Sequence, residues 1–376
     1  MTDTKYKICA RCIMDTTDPD ISFDENGVCN HCLRYDTEIR PRLLSPEEGK
    51  RKLDEIVVKI KNEGKGKEYN CILGLSGGVD SAFVAYKAKE LGLRPLVVHF
   101  DNGWNTEVSI NNIEQIVKKL GFDLETHVMD WEEFKDIQRS FFKASVLDIE
   151  LITDHSFLAA LYDIASKRRI KYILEGINYS SESIMPDSWR HFKKDLLNIK
   201  TIQKKYGTMP IRNLPSMGVF KYLYYKFIQR FTCVSLLNYI NYDRDEAMRV
   251  LSSEVGWKYY GNKHCESLFT YFYQAHILPL KFNIDKRKAH LSSLILSGQI
   301  SRVQALKTIQ DEPYPSKAAG EYKEYVAKKL GFTTDEFDEI MRMPIKSHYD
   351  YSSEEKLYKL MHKVFILFKR IGLVKS

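Results

Sequence analysis

The stretch ILGLSGGVDSA, residues 72–82, decides how the chain is read. A short apolar run breaks into Ser76-Gly77-Gly78-Val79-Asp80-Ser81 and then resumes as a helical pattern, the order of a strand, a tight loop and a helix. The same alternation recurs from 69 to about 185. YNCILGL, RPLVVHF, LETHVM and KYILEG read as strands, and VDSAFVAYKAKELG, NTEVSINNIEQIVKKLG and SFLAALYDIASKRR read as helices. Continuous apolar strands between amphipathic helices imply a parallel sheet covered on both faces, a Rossmann-like α/β fold. In such sheets ligands bind beyond the carboxyl ends of the strands, where the loop at 76–81 falls.

The loop has the chemistry of an anion site. Gly77 and Gly78 let the backbone turn tightly and bring its amides close to phosphate oxygens. The helix start adds free N–H groups and a favourable dipole, and Ser76 and Ser81 add hydroxyl donors. A carboxylate beside phosphates is repulsive unless a cation lies between them, so Asp80 reads as a Mg²⁺ ligand or as an anchor one layer behind it. The loop has neither the Gly-Lys-Ser/Thr of a Walker loop nor the GxGxxG spacing of dinucleotide folds. The plain alternative is a strand-to-helix turn rich in Gly and Ser.

Ser76 to Ser81 resembles the SGGxDS loop of the N-type ATP pyrophosphatases, the PP-loop superfamily with its adenine nucleotide alpha hydrolase-like fold. GMP synthetase, NAD synthetase, asparagine synthetase and tRNA thiolases are among its members. The resemblance implies that ATP is split between its α and β phosphates, that AMP passes to a carbonyl oxygen, and that Ser76, Gly77, Gly78, Val79, Asp80 and Ser81 hold the pyrophosphate. It also implies adenosine contacts at His99, Asp101, Asn102 and Gly103, the end of the second strand, although Asp-Asn-Gly is also a common turn. At the end of KYILEG it implies that Gly176 passes close to the nucleotide beside Asn178, and that Glu182 serves metal or substrate.

Cys9-x2-Cys12 and Cys29-x2-Cys32, 16 residues apart, have the spacing of a four-cysteine zinc site. Thiolates in two such knuckles give a closed, structural tetrahedral centre, and a segment this short needs the metal to fold. Two disulfides or an iron–sulfur cluster are the alternatives. Cys71, Cys233 and Cys265 stand apart as structural cysteines, and His31 reads as a bystander inside the second knuckle.

The bulk composition sets bounds. The 376 residues suffice for two or three domains, and a net charge of +7 spread along the chain fits an anionic substrate, a nucleic acid or an acidic membrane surface without choosing among them. The start lacks an apolar signal region and no uncharged run is long enough to span a bilayer. An odd count of seven cysteines suits a reducing compartment, so a cytoplasmic enzyme is expected. Four parts are expected: a zinc-ribbon-like segment at 1–45, a linker helix at 46–68, the nucleotide domain at 69–200, and a mainly helical region at 201–376 for substrate binding or oligomerisation.

CARCIMDTTDPDISFDENGVCNHC, DWEEFKDIQRSFFKASV, ITDHSFLAALYDIASKRRIKYILEG and KFNIDKRKAHLSSLILSGQISR together resemble the N-acetyl sugar amidotransferases, the WbpG-type enzymes of bacterial surface-polysaccharide (O-antigen) synthesis. The likeness runs from about 5 to about 310. It implies an enzyme that uses ATP, Mg²⁺ and ammonia to convert an acetamido group on a nucleotide-activated sugar to acetamidino. Lys286, Arg287, Lys288 and Arg302 become candidates to stabilise phosphorus charge, and Asp154 and Glu182 candidates for metal; a solvated helix start is the plain reading of Asp285 to Lys288. With Thr2 at the second position and no room for a triad-type glutaminase, ammonia is expected from a separate glutaminase subunit (HisH-like), with a HisF-like barrel as channel. A tRNA-modifying enzyme using the same adenylation is the alternative, weakened by the gap in cysteines between Cys71 and Cys233. The lysine- and aromatic-rich segments 217–231 and 357–374 are expected to pack their apolar faces on the sheet domain or on a second copy in a homodimer. Peripheral membrane contact and RNA stacking are the competing readings.

Overall fold

The structure, a computed structural model, describes residues 6–261, 266–311 and 316–370. Five strands form a parallel sheet: β1 (Cys71–Gly74), β2 (Pro95–Asp101), β3 (Asp123–Val128), β4 (Tyr172–Glu175) and β5 (Thr232–Ser235), in the order β3-β2-β1-β4-β5. Leu73 of β1 lies opposite Val97 on one side and Leu174 on the other. The chain steps outward from β1 to β3 and then returns to β4, so strand order reverses between β1 and β4. That reversal opens a crevice beyond the carboxyl ends of these two strands.

β1 and β2 are buried on both faces, as their unbroken apolar runs require. β3 differs. It is an edge strand with one neighbour, Leu124 and Val128 are exposed, and the half-covered positions belong to Glu125 and His127, the latter stacked on Phe100. β5 is a second departure, because it falls in the region 201–376 expected to be mainly helical. Four residues, TCVS, are too few to carry a periodic signal. The strand exists through its ladder with β4, in which Cys233 pairs with Ile173.

The helices follow local rules. Pro46–Glu63 begins at Ser45, whose hydroxyl accepts from the Glu48 amide, and buries Leu53, Val57 and Ile60. Glu107–Leu120 runs from a Thr106 cap to Gly121 at φ +66. Trp131–Ala144 interrupts the strand–helix alternation. Its buried Phe134, Ile137 and Phe141 keep helical spacing, but Glu133, Asp136, Gln138 and Ser140 are buried too and blur the pattern. The carboxylates among them are satisfied in place: Glu133 accepts from the amides of Arg212, Asn213 and Leu214, and Asp136 from those of Thr208 and Met209.

One apolar cluster covers the sheet face under Val79–Glu90, and another lies under Leu151–Lys167 on the opposite face. The largest cluster joins the N-terminal cysteines to the C-terminal helices Leu268–Phe272, Lys286–Leu296 and Ser316–Leu330. The segment 217–231 forms a helix, Val219–Leu223, continuing as a wider π turn, Tyr224–Ile228. Tyr222 and Tyr225 pack inward on Tyr162 as expected, whereas Phe220, Tyr224 and Ile228 are exposed. No described helix is long and apolar enough to cross a membrane.

Candidate active site

The chain leaves β1 through Leu75 and turns at Ser76-Gly77-Gly78 into the helix Val79–Glu90. Gly77 has φ +81, and a Cβ on it would lie 2.6 Å from the Ser109 carbonyl oxygen, so only glycine fits. The Ser76 and Ser81 hydroxyls lie 3.2 Å apart and close the turn, with the Ser76 amide also donating to Ser81 at 3.3 Å. At the helix start the Gly78 amide donates to the Ser76 hydroxyl and the Val79 amide to the Tyr260 hydroxyl, each at 3.2 Å. Two amides at the start of this helix therefore face hydroxyl oxygens.

β4 approaches the same place. A Cβ on Gly176 would come within 3.2 Å of the Asp80 carbonyl carbon and the Ser81 nitrogen, so the end of β4 rests directly on the loop. The resemblance implies that Gly176 passes close to the nucleotide; the structure sets it against Asp80 and Ser81.

The residues that cover the loop come from a segment the sequence reading passed over. Tyr242 donates a short hydrogen bond to Asp80 Oδ1, and the Trp257 indole donates to the Gly77 carbonyl at 2.9 Å. Burial raises the Tyr242 pKa most, Asp80 adds to the rise, and Arg244 and Glu182 act on the same phenol. The Glu266 carboxylate stands over Gly78, 3.0 Å from where a Cβ would be, and acts with Arg244 and Asp80 on Tyr260. Three carboxylates and one guanidinium thus share the mouth of the loop. The aromatic run Trp257, Tyr259, Tyr260 was the visible signal for this cover.

His99 is buried beside the loop, its Nδ1 3.2 Å from the Leu75 carbonyl and its Nε2 3.3 Å from Asn105, and burial lowers its pKa. Asp101 accepts from the Gly103 amide and from Asn105, and Asn102 accepts from the Trp104 amide, so both hold a turn in which Gly103 has φ +78. Asn178 caps Tyr179–Glu182 by accepting from the Ser181 amide at 2.8 Å.

A cavity of about 140 Å³ extends from Arg244 and Ser181 to Lys286 and His290, walled by Tyr271 and Gln274. Lys286 is half-buried at the cavity wall and its pKa is lowered by desolvation, with Asp148, Glu150, Asp154 and Lys193 close enough to act on it. In this group Lys193 bridges Asp148 at 2.7 Å and Asp154 at 2.9 Å. Glu150, fully enclosed, is pushed up to about 7 by burial and then by Asp154, and it accepts a short hydrogen bond from the Thr270 hydroxyl. Asp154 therefore sits with Lys193, apart from the carboxylates at the loop.

The basic run 286–288 is split three ways. Lys286 faces the cavity. Arg287 lines it as well but forks onto Asp285 and donates to the Asp311 carbonyl, while Lys288 binds Asp15. Arg302 donates to the carbonyls of Cys9 and Cys12 at 2.8 and 3.0 Å. Lys288 and Arg302, read from the sequence as phosphate stabilisers, are corrected to anchors of the N-terminal ribbon, because their charged ends are spent there.

The four N-terminal cysteines are buried, with all Sγ atoms within 4.8 Å of one another. Neighbouring Sγ pairs lie 3.6, 3.7 and 3.9 Å apart. A tetrahedron with Zn–S bonds of about 2.3 Å has S···S edges of roughly 3.8 Å, so the set fits zinc. Amides of Arg11, Cys12 and Cys29 point at Cys9 Sγ, as thiolate ligands require. His31 turns away to Asp18 at 2.6 Å. Cys71 is buried in β1 and Cys233 lies 3.3 Å from the Tyr162 hydroxyl; Cys265 lies outside the described residues.

Residues 70–222 match the family model of the queuosine biosynthesis protein QueC, and residues 266–365 match that of the LPS biosynthesis protein WbpG-like, C-terminal domain. Tyr242, Arg244, Trp257 and Tyr260 fall between the two matches. The comparison with curated proteins finds no match. Among solved structures the chain is similar to NMN synthetase from Francisella tularensis, at 16% identity and a TM-score of 0.30, over 57% of this chain and 88% of that one. It is also similar to the NH3-dependent NAD synthetase from Campylobacter jejuni subsp. jejuni, at 15% identity and a TM-score of 0.30, over 56% of this chain and 85% of that one. The chain thus combines a stretch similar to QueC, a family of PP-loop type, with a WbpG-like C-terminal stretch.

Proposed function

We propose that the protein adenylates the carbonyl oxygen of an N-acetyl group on a nucleotide-activated sugar and replaces that oxygen with ammonia. One observation carries the reading: Arg244, which acts on the Tyr242 phenol bound to Asp80, also lines a cavity whose other walls include Tyr271, Gln274, Lys286 and His290, all within the WbpG-like stretch. An acceptor held there lies between the nucleotide loop and the one part of the chain whose likeness points to surface-polysaccharide synthesis.

The acetamido oxygen attacks the α-phosphorus of ATP, and the bond from that phosphorus to the bridging oxygen breaks. Pyrophosphate departs into the turn at 76–81, its oxygens replacing the Ser76 and Tyr260 hydroxyls at the Gly78 and Val79 amides. Ammonia then adds to the activated carbon, the carbon–oxygen bond breaks, AMP leaves with the former carbonyl oxygen, and an acetamidino group remains. Asp80, with Glu182 and Glu266 alongside, would hold Mg²⁺, which screens these carboxylates from the phosphates. Zinc at Cys9, Cys12, Cys29 and Cys32 supplies structure alone.

Ammonia comes from a separate glutaminase, with a barrel-type subunit as conduit, and the reaction takes place in the cytoplasm. The test is pyrophosphate release over UDP- and CMP-linked acetamido sugars with ammonium, followed by mass measurement. A product lighter by one mass unit supports the reading. Turnover only with tRNA and a sulfur donor overturns it, and robust turnover of the pure protein on glutamine alone overturns the separate glutaminase.

A further inference from the structure

We infer that the paired segments 217–231 and 355–370 form a docking surface for an anionic lipid bilayer, a role separate from the reaction proposed above. Two observations make them one surface. The Glu354 carboxylate accepts from the Val219 amide at 3.4 Å and from the Leu196 amide at 3.0 Å, so Val219–Leu223 and Glu355–Arg370 start at a common anchor. Beyond the anchor Tyr222 and Tyr358 are in ring contact at 6.0 Å, with the Lys194 ammonium 4.2 Å and 5.9 Å from the two rings. The inner sides of both helices are therefore committed to the body of the protein.

Their outer sides are apolar. Phe220, Tyr224 and Ile228, four residues apart, are 68%, 48% and 70% exposed. On the neighbouring helix Leu357, Leu360 and Val364 repeat at intervals of three and four, with Leu360 60% exposed. Isolated exposed apolar residues are ordinary, but two helical stripes side by side are not.

Charge selects the occupant. Residues 217–231 contain three Lys or Arg and no Asp or Glu, and 355–370 contain five Lys or Arg against one acid, Glu355, which pairs with Lys359. A second copy of this chain would bring the same positive charge to the contact, which opposes pairing. An anionic bilayer accepts both features at once: apolar side chains enter the interface while Lys226, Lys356 and Lys363 meet headgroup phosphates. The lysine stems reach past the apolar stripe to do so.

The experiment is flotation of the full chain with vesicles of phosphatidylcholine alone and of phosphatidylcholine with roughly a third phosphatidylglycerol, at about 0.15 M and about 1 M salt. The surface predicts flotation with the anionic vesicles at low salt and little with neutral ones. Lys226→Glu with Lys363→Glu weakens it by about fivefold or more per lysine, and Ile228→Glu with Leu360→Glu by about tenfold or more. Circular dichroism and ATP binding of both variants stay as in the parent. Failure to float with either vesicle, or equal flotation with both, overturns the inference. So does a dimer in sedimentation that Ile228→Glu dissociates while flotation is absent, since the face then belongs to a second copy.

Discussion

Asp80 is held at the first turn of the helix Val79–Glu90 by the Tyr242 hydroxyl and lies against Gly176. Its side chain makes no contribution to the apolar cluster below, so Asp80→Ala leaves the fold intact. Pyrophosphate release should fall by roughly 100-fold or more, as for loss of a group that places charge at the transferring phosphorus; full activity in this variant would remove the metal assignment. Glu150 makes a different kind of prediction, on pH. Its folded pKa, about 7, lies above the ordinary carboxylate value because burial and Asp154 favour the protonated form. The folded state therefore gains from it fully below the unfolded pKa, and the gain is lost as pH rises through about 7. Stability of the parent should decline by about 1–3 kcal/mol between pH 4.5 and 7 relative to Glu150→Gln, which stays neutral and still accepts from Thr270. Asp148 runs the other way: Lys193 opposes the effect of burial and holds it at about 2, so its contribution disappears in acid. Denaturant midpoints across pH for the two proteins check the slope. These buried pairs were invisible in the sequence, because Asp148, Glu150 and Lys193 meet only through the packing of distant segments.

Among the elements, the strand β1, the loop and the following helix were legible because three independent cues coincide there: an apolar run, two adjacent glycines and a resumed helical pattern. The cues carry conformational meaning that can be tested one glycine at a time. Gly77→Ala places a Cβ 2.6 Å from a backbone oxygen at φ +81, and neither side can yield without moving the loop. A displacement of about 1 Å costs on the order of 100-fold in turnover. Gly176→Ala meets Asp80 and Ser81 at 3.2 Å, which a shift of a few tenths of an ångström relieves, so it should raise the KM for ATP several-fold and spare most of kcat. Steady-state kinetics of both variants separate the two cases, and equal losses would contradict this account of the turn. The elements that escaped the sequence reading share a physical cause. β5 is four residues long and owes its existence to β4, and Trp131–Ala144 buries four polar residues beside five apolar ones. Local pattern reports on neither hydrogen-bond ladders nor polar satisfaction supplied from elsewhere. The run Asp285 to Lys288 shows the same limit: four adjacent charges, one apparent motif, and three different destinations for Lys286, Arg287 and Lys288.

Across the whole molecule, the ribbon is stitched to the far end of the chain. Lys288 binds Asp15, the Ile13 amide donates to the Ser292 hydroxyl at 3.2 Å, and Arg302 clasps the carbonyls of Cys9 and Cys12. The cysteine spacing announced the metal site, but nothing local announced its partner. Cys9→Ser should accordingly cost more than zinc. It should lower the melting temperature by roughly 5–10 °C and, by loosening Lys286–Leu296, weaken acceptor binding in the neighbouring cavity. Zinc content by atomic absorption and a thermal melt decide it: a soluble, zinc-replete Cys9→Ser protein with an unchanged melt counts against the structural role.

The same stitching sets an order of events during synthesis. The knuckles leave the ribosome well before the guanidinium that seals them, Arg302, 290 residues downstream of Cys12. At about 5–20 residues per second the nascent ribbon waits roughly 15–60 s for that clasp. During this interval a zinc ion held by Cys9, Cys12, Cys29 and Cys32 would keep the four thiols from oxidising or straying, and metal supply would then govern the yield of folded chain before any substrate is met.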